Sequence, residues 1–300
     1  MRHRLSLMKN NVLFLALLTA IPATNNLKAQ AAKPENSIQL STSDAALEYE
    51  AGRNLLHGRG VDKDPAAALE HFRKAAELGH IEAPGAIGYF YSTGTVVDKD
   101  DVKAAEFFRQ GAELGSAAAK FNLGKFHLDQ RGGLDGVEEG IRLMEQAASY
   151  GLTQAHTNLA EIYFFGNDRI PIEHTKAFRH AEAAAQAGVP TSETMVGVMK
   201  EHGYGTEANP ADAEKWYRQA AQKGETKAQS NLGHLLDPAS EDPKRRLEAT
   251  AWLIIAASQN EPLAARTLAE LEENMPKEEF SKARDMADDL QKKIAEAEAK

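Results

Sequence analysis

A unit of about 36 residues recurs six times in this chain, and no other feature limits the possible folds as much. The segment GRGVDKDPAAALEHFRKAAELG (58–79) returns as GTVVDKDDVKAAEFFRQGAELG (94–115) and as GYGTEANPADAEKWYRQAAQKG (203–224). The residues that close the units are Gly79, Gly115, Gly151, Gly188, Gly224 and Asn260, at steps of 36, 36, 37, 36 and 36. A small pair precedes each one: Ala75-Ala76, Gly111-Ala112, Ala147-Ala148, Ala184-Ala185, Ala220-Ala221 and Ala256-Ala257. Four positions after each lie Ala83, Ala119, Ala155, Ser192, Ala228 and Ala264, and eight after lie Ile87, Leu123, Leu159, Val196, Leu232 and Leu268. Next come Gly88, Gly124, Ala160, Gly197, Gly233 and Ala269. Self-similarity at such a period is the signature of a stacked repeat array.

Each column has a physical reading. A closing Gly or Asn suits the left-handed residue that stops a helix. Ala and Gly pairs let two helices approach closely, and the apolar spacing makes one buried stripe. Asp64-Pro65 and Asn209-Pro210 read as an N-cap followed by Pro at the first helical position. A bulky column, His71, Phe107, Leu143, His180, Trp216 and Trp252, is expected to pack between neighbouring helix pairs. Each unit is then helix A, a glycine-marked turn, helix B and a tight stop. Such a unit cannot bury its apolar face alone and stacks on its neighbours. The expected fold is all-α, a right-handed α-solenoid of about six repeats. At the end of the chain, Phe280, Ala283, Ala287, Leu290 and Ile294 share one helical face, opposite a charged one. That pattern suits a capping helix, with a coiled-coil tail as the competing reading.

The pattern resembles the Sel1-like repeat family, relatives of the tetratricopeptide repeats. The residues that carry the resemblance are clearest in NLGKF (122–126), GRGVDKD (58–64) and WYRQAAQKG (216–224). The resemblance covers about 44–275. It departs in the third and fourth turns, DQRGGLDG (129–136) and FFGNDRIP (164–171), where a change in curvature is expected. The expected organisation is a signal peptide over 1–31, a flexible leader over 32–43, the repeats over 44–275 and a capping helix over 276–300.

The N-terminus suggests a compartment. Arg2, Arg4 and Lys9 precede an apolar run from Val12 to about Ala23. This is the pattern of a signal peptide, cleaved after Ala23 or after Ala31, and the run is short for a membrane span. An uncleaved anchor is the alternative. With the resemblance, it implies a periplasmic or secreted bacterial protein with no stable membrane span after processing. The formal net charge is −9, which disfavours nucleic acid as a partner. Cysteine is absent, so thiolate metal sites and disulfides are excluded.

The chemistry is sparse. The Gly-x-Gly stretches at 58–60 and 203–205 read as helix A to helix B turns, with an anion-binding nest as the competing reading. There is no phosphate-loop, zinc-protease or nucleophile-elbow motif. The histidines follow the repeat register, so no metal, cofactor or catalytic residue is expected. What remains is surface. Seven positions after the closing residue, helix A carries Asn122, Asn158 and Asn231, and three further on stand Tyr89, Lys125, Glu161 and His234. These two columns share a helical face away from the apolar stripe. Asn bonds a peptide backbone through both donor and acceptor. Simple solvation of helix A is the other reading. The resemblance implies helix A lining a concave groove that holds a partner protein, in envelope assembly, signalling or host contact. The acidic charge favours a basic partner segment. An inhibitor of a membrane sensor is a special case of this reading. The rival is a cell-wall or β-lactam binder or weak hydrolase. It is set back by the missing cysteine pairs and by the absence of an S-x-x-K motif beside a plausible base.

Overall fold

Asp64 shows how the repeat writes its own structure. Its carboxylate accepts hydrogen bonds from the Ala66 and Ala67 amides at 3.0 Å each, and Pro65 follows at the first helical position. Ser116, Asn209 and Asp242 cap later helices in the same way. At the other end, all six closing residues adopt the left-handed conformation, with φ from 63° at Asn260 to 98° at Gly115. Caps at one end and left-handed stops at the other cut the chain into short helices.

A computed structural model describes residues 36–298, with side chains from 43 to 297. Every regular element among the described residues is a helix. In order they are α1 (Asn36–His57), α2 (Pro65–Glu77), α3 (Ala83–Thr93), α4 (Asp101–Glu113), α5 (Ala117–Leu128), α6 (Val137–Ser149) and α7 (Thr153–Phe165). There follow α8 (His174–Gln186), α9 (Pro190–His202), α10 (Pro210–Gln222), α11 (Thr226–Leu236), α12 (Pro243–Ser258), α13 (Pro262–Asn274) and α14 (Lys277–Glu298). The signal-like segment 1–31 lies outside the described residues, and α1 begins at Asn36. No described helix is long and apolar enough to cross a membrane.

The helices form two compact units, Met1–Ala155 and His156–Lys300, which divide inside α7. In the first, α1 packs on α2, α2 on α3, α3 on α4, α4 on α5 and α5 on α6. In the second, the same sequential packing runs from α8 to α13, and α14 lies mainly along α12. Phe280, Ala283 and Ala287 of α14 are buried, with Met286, Leu290 and Ile294 packed against the α10–α12 core.

The bulky column singled out in the sequence is only partly core: Leu143, His180 and Trp252 are buried. His71, Phe107 and Trp216 are only half-buried. The position after each is sealed: Phe72, Phe108, Met144, Ala181, Tyr217 and Leu253 are all 0% exposed. The reason is the helix A glycine. A Cβ at Gly88 would lie 2.9 Å from the Phe108 ring, one at Gly197 2.5 Å from the Tyr217 ring, and one at Gly52 2.8 Å from the Phe72 ring. Glycine inside a helix costs about 1 kcal/mol against alanine, and here it opens the seat for a large side chain of helix B. In the fourth repeat both positions are alanine, Ala160 and Ala181.

Candidate partner-binding face

The polar columns of helix A are divided between the two units. Tyr89 of α3 and Asn122 and Lys125 of α5 lie in the first. Asn158 and Glu161 of α7 and Asn231 and His234 of α11 lie in the second. In the first unit Asn122 is only 4% exposed. Tyr89 is half-buried, edge-on to Phe90, and burial pushes its hydroxyl pKa up. Lys125 is half-buried with its ammonium 6.0 Å from the Phe121 ring centroid.

In the second unit Glu161 is exposed and Asn158 half-buried. Asn231 approaches the Tyr217 hydroxyl, which donates to Glu201 at 2.8 Å. His234 is a bridge between helices. Its Nδ1 stands 2.8 Å from the Ser230 carbonyl and its Nε2 3.0 Å from the Thr267 hydroxyl on α13. A carbonyl only accepts, so Nδ1 carries the proton and, in the neutral ring, Nε2 accepts from Thr267.

Successive A helices hydrogen-bond to one another through polar side chains near their starts. Ser116 donates to Glu82 at 2.7 Å, Thr194 to Glu225 at 3.0 Å and Ser230 to Glu261 at 2.9 Å. Burial works against the Glu261 carboxylate, yet hydrogen bonds from Ala264, Ser230 and Leu263 hold its pKa below the ordinary range. Burial raises Glu82 in spite of its bond to Ser116. Lys223 pairs with the buried Glu193 at 2.5 Å and donates to the Gly188 carbonyl.

The A-to-B turns join repeats too. Arg131, in the third turn, holds Asp101 at the start of α4 through two hydrogen bonds of 2.6 and 3.0 Å. It also donates to the Ser92 carbonyl at 3.2 Å and stacks on Phe126 at 4.2 Å. The hydrogen bonds from Arg131 depress the Asp101 pKa. The glycine beside it is pressed against the preceding repeat: a Cβ at Gly132 would stand 2.4 Å from the Asp101 carbonyl oxygen. At Gly205 the corresponding distance is 2.1 Å, to the carbonyl of His174 at the start of α8. The Gly-x-Gly stretch at 203–205 is therefore a turn that grips the preceding helix B, and the one at 58–60 is a turn with no described helix B before it.

One surface feature escaped the sequence reading. Phe164, Phe165, His174, His202 and Tyr204 form a chain of ring contacts, with centroids 4.9 to 5.7 Å apart. Phe165 is 68% exposed. The signal was the departure at FFGNDRIP, which places two aromatic residues before a turn where other repeats have none. His156 and His180 approach through their Nδ1 atoms at 3.0 Å, so one donates and the other accepts. Among the described residues, no three His, Cys, Asp or Glu side chains gather to hold a metal ion.

The model of the Sel1 repeat matches residues 45–80, 86–116, 117–151, 153–189, 190–225 and 226–261. The chain is 29% identical over 184 residues to chitin synthase regulatory factor 4 of Schizosaccharomyces pombe, covering 61% of this chain and 23% of that protein. It is 35% identical over 182 residues to DAP3-binding cell death enhancer 1 of Mus musculus, covering 60% of this chain and 35% of that protein. The chain thus spans about a third or less of the length of these curated relatives. Among solved structures, a protective antigen of uropathogenic Escherichia coli with an SLR fold aligns with a TM-score of 0.70 at 24% identity, over 84% of this chain and 54% of that one. A Sel1 repeat protein from Oxalobacter formigenes aligns at 0.58 and 23% identity, over 72% and 86% of the two chains.

Proposed function

This chain belongs to the Sel1 repeat family, and from that membership we propose that it works as a non-catalytic scaffold that holds a partner protein. The observation that carries the reading is the array itself. Within each unit the repeats spend their apolar stripes on one another and leave polar side chains outside, a preformed surface that binds with little ordering cost. The relatives include proteins named as a regulatory factor and as a binding protein, which suits a role exerted through other proteins. We place the scaffold outside the cytoplasm of a bacterium, from the signal-like N-terminus and the bacterial neighbours in fold.

Of the helix A columns, Tyr89 and Lys125 of the first unit are the members we assign to partner contact. Asn122 is buried, and Asn231 and His234 are engaged within the second unit. The net charge of −9 favours a partner with a basic segment over this face. The test is an in-cell crosslinking pull-down with the full chain and a variant carrying Tyr89→Ala and Lys125→Ala. A partner held by the parent and lost by a folded variant supports this face. An unchanged capture moves binding elsewhere on the scaffold. Steady turnover of a chromogenic β-lactam by the purified protein would overturn the non-catalytic reading.

A further inference from the structure

The first repeat carries one half of an interface whose other half is absent among the described residues. The dipeptide Arg131-Gly132 recurs in the same register, two repeats earlier, as Arg59-Gly60. In the third repeat this dipeptide binds the start of α4: arginine pairs with Asp101, and glycine, at φ 62°, lies against the Asp101 carbonyl. In the first repeat the backbone is the same, with Gly60 at φ 72°, but a Cβ there would meet nothing within 4 Å. Arg59 is exposed, and its side chain has no hydrogen bond or ion pair among the described residues.

A second column shows the same vacancy. The helix A position four after each closing residue is where a repeat seats on the helix B before it. Ala83, Ala119, Ala155, Ala228 and Ala264 are fully buried there, and Ser192 nearly so. The equivalent in α1 is Leu47, which is 67% exposed. The opposite end of the chain differs, because α14 lays Phe280, Ala283 and Ala287 inside and turns its charges outward. Among the described residues, no such cover lies on the stacking face of α1.

We propose that this face of the first repeat docks a helix of a partner protein whose first turn carries an aspartate or glutamate, that turn seated as the first turn of α4 is on the third repeat. The internal junction defines the occupant. Arg59 stands where Arg131 takes a carboxylate in two parallel hydrogen bonds, a geometry that selects carboxylate over neutral acceptors. Gly60 leaves room for the backbone of that first turn. Leu47 offers apolar surface to the body of the helix. Arg59 is the cation offered at this turn, where Lys63 stands between Asp62 and Asp64. The positive end of the incoming helix dipole makes its acid, not the helix alone, the attractive element for Arg59. This inference rests on the scaffold reading and names one contact of the partner.

The test uses the full chain with the photo-crosslinking residue p-benzoylphenylalanine in place of Leu47, irradiated in its native cells, followed by sequencing of the linked peptides. The expected adduct joins Leu47 to a partner helix with Asp or Glu in its first turn. Arg59→Glu is expected to cut that adduct about tenfold or more, the scale of reversing one half of an interfacial ion pair. Arg109→Glu, an equal change in charge at another exposed arginine, leaves it intact. Changing the partner's acid to arginine restores the adduct with Arg59→Glu. Circular dichroism verifies that both variants fold. Adducts confined to residues 1–35 of the same chain overturn the proposal, as do adducts indifferent to Arg59→Glu or no adduct at all. If Leu47 yields nothing while a tagged chain still captures a partner, this inference alone fails. If neither experiment captures a protein, the scaffold reading fails with it.

Discussion

The seat between Gly197 and Tyr217 gives the sharpest test of how the repeats pack. Replacing Gly197 by alanine supplies a better helix former, worth about 1 kcal/mol in favour of folding. The new Cβ would lie 2.5, 2.6 and 3.1 Å from Cε1, Cδ1 and Cζ of Tyr217. That ring is fully buried, and its hydroxyl is tied to Glu201 at 2.8 Å, so it cannot swing aside freely. Overpacking of this kind costs about 1–3 kcal/mol, and tipping the ring off Glu201 forfeits about 1 kcal/mol more. Gly197→Ala is therefore expected to destabilise by about 1–3 kcal/mol net. In a Tyr217→Ala background the clash is gone, and the same change becomes neutral or stabilising by up to about 1 kcal/mol. The double variant reproduces the Ala160 and Ala181 pairing of the fourth repeat. The assay is urea unfolding of the four proteins of this cycle, followed by circular dichroism and by the fluorescence of Trp216 and Trp252, which both lie in the second unit. A coupling of about 2 kcal/mol is expected. If Gly197→Ala costs the same in both backgrounds, within about 0.5 kcal/mol, the glycine is not a seat for the ring.

Val96 holds φ 73° where the other turns place Gly60, Gly132 and Gly205, so Val96→Gly is expected to raise stability by up to about 1 kcal/mol in urea unfolding. Lys223→Met strands the carboxylate of Glu193, which is only 3% exposed. Allowing for the partial exposure of Lys223, a loss of about 2 kcal/mol is expected in the same assay. Arg131 depresses the Asp101 pKa, so the pair contributes stability above the ordinary aspartate pKa, and that contribution is lost as pH falls through the folded value. The deficit of Arg131→Met against the parent is therefore expected at pH 7 and should shrink below about pH 4. Burial pushes the Tyr49 hydroxyl up, and burial with the bond to Glu201 does the same at Tyr217. In an alkaline absorbance titration these two of the seven tyrosines should ionise only as the fold opens. Their raised folded pKa makes the contribution present below the free tyrosine value and lost above it.

The repeat register was legible because each unit must solve the same problem with the same devices. A left-handed stop requires Gly or Asn, as at Gly79 and Asn260, and a first-turn Pro requires an acceptor before it, as at Asp64. The core column was less legible. The bulky column holds core at Leu143, His180 and Trp252, but at His71, Phe107 and Trp216 the next position, Phe72, Phe108 and Tyr217, is the sealed one. Bulk alone does not tell which of two adjacent helical positions faces the partner helix. The informative signal was a pairing, large opposite glycine and alanine opposite alanine, visible only when two columns are read together. The candidate face was least legible. Asn231 and His234 carry side chains that suit a peptide backbone, and the same donors and acceptors suit Tyr217 and Thr267 equally well. One sequence does not separate these fates, because both require a polar residue on the same flank of helix A.

That ambiguity has a physical resolution within the array. A polar side chain in a repeat protein meets either the neighbouring repeat or something outside the chain, and the other copies of its column show which. Arg131 is spent on Asp101 and Ser92, and it thereby shows what Arg59 is shaped to hold. Gly132 and Gly205 are pressed against the preceding helix, whereas Gly60, with the same left-handed backbone, meets no neighbour among the described residues. Leu47 fits the same logic, exposed in a column that is otherwise sealed. Phe165 is a different case, because the fourth turn departs from the others and no sibling column predicts its surroundings. Recognition in such a scaffold is therefore best sought where the repetition is interrupted. A column that is satisfied in every other repeat and vacant in one states the chemistry of its missing partner, which an isolated polar residue on a helix face does not.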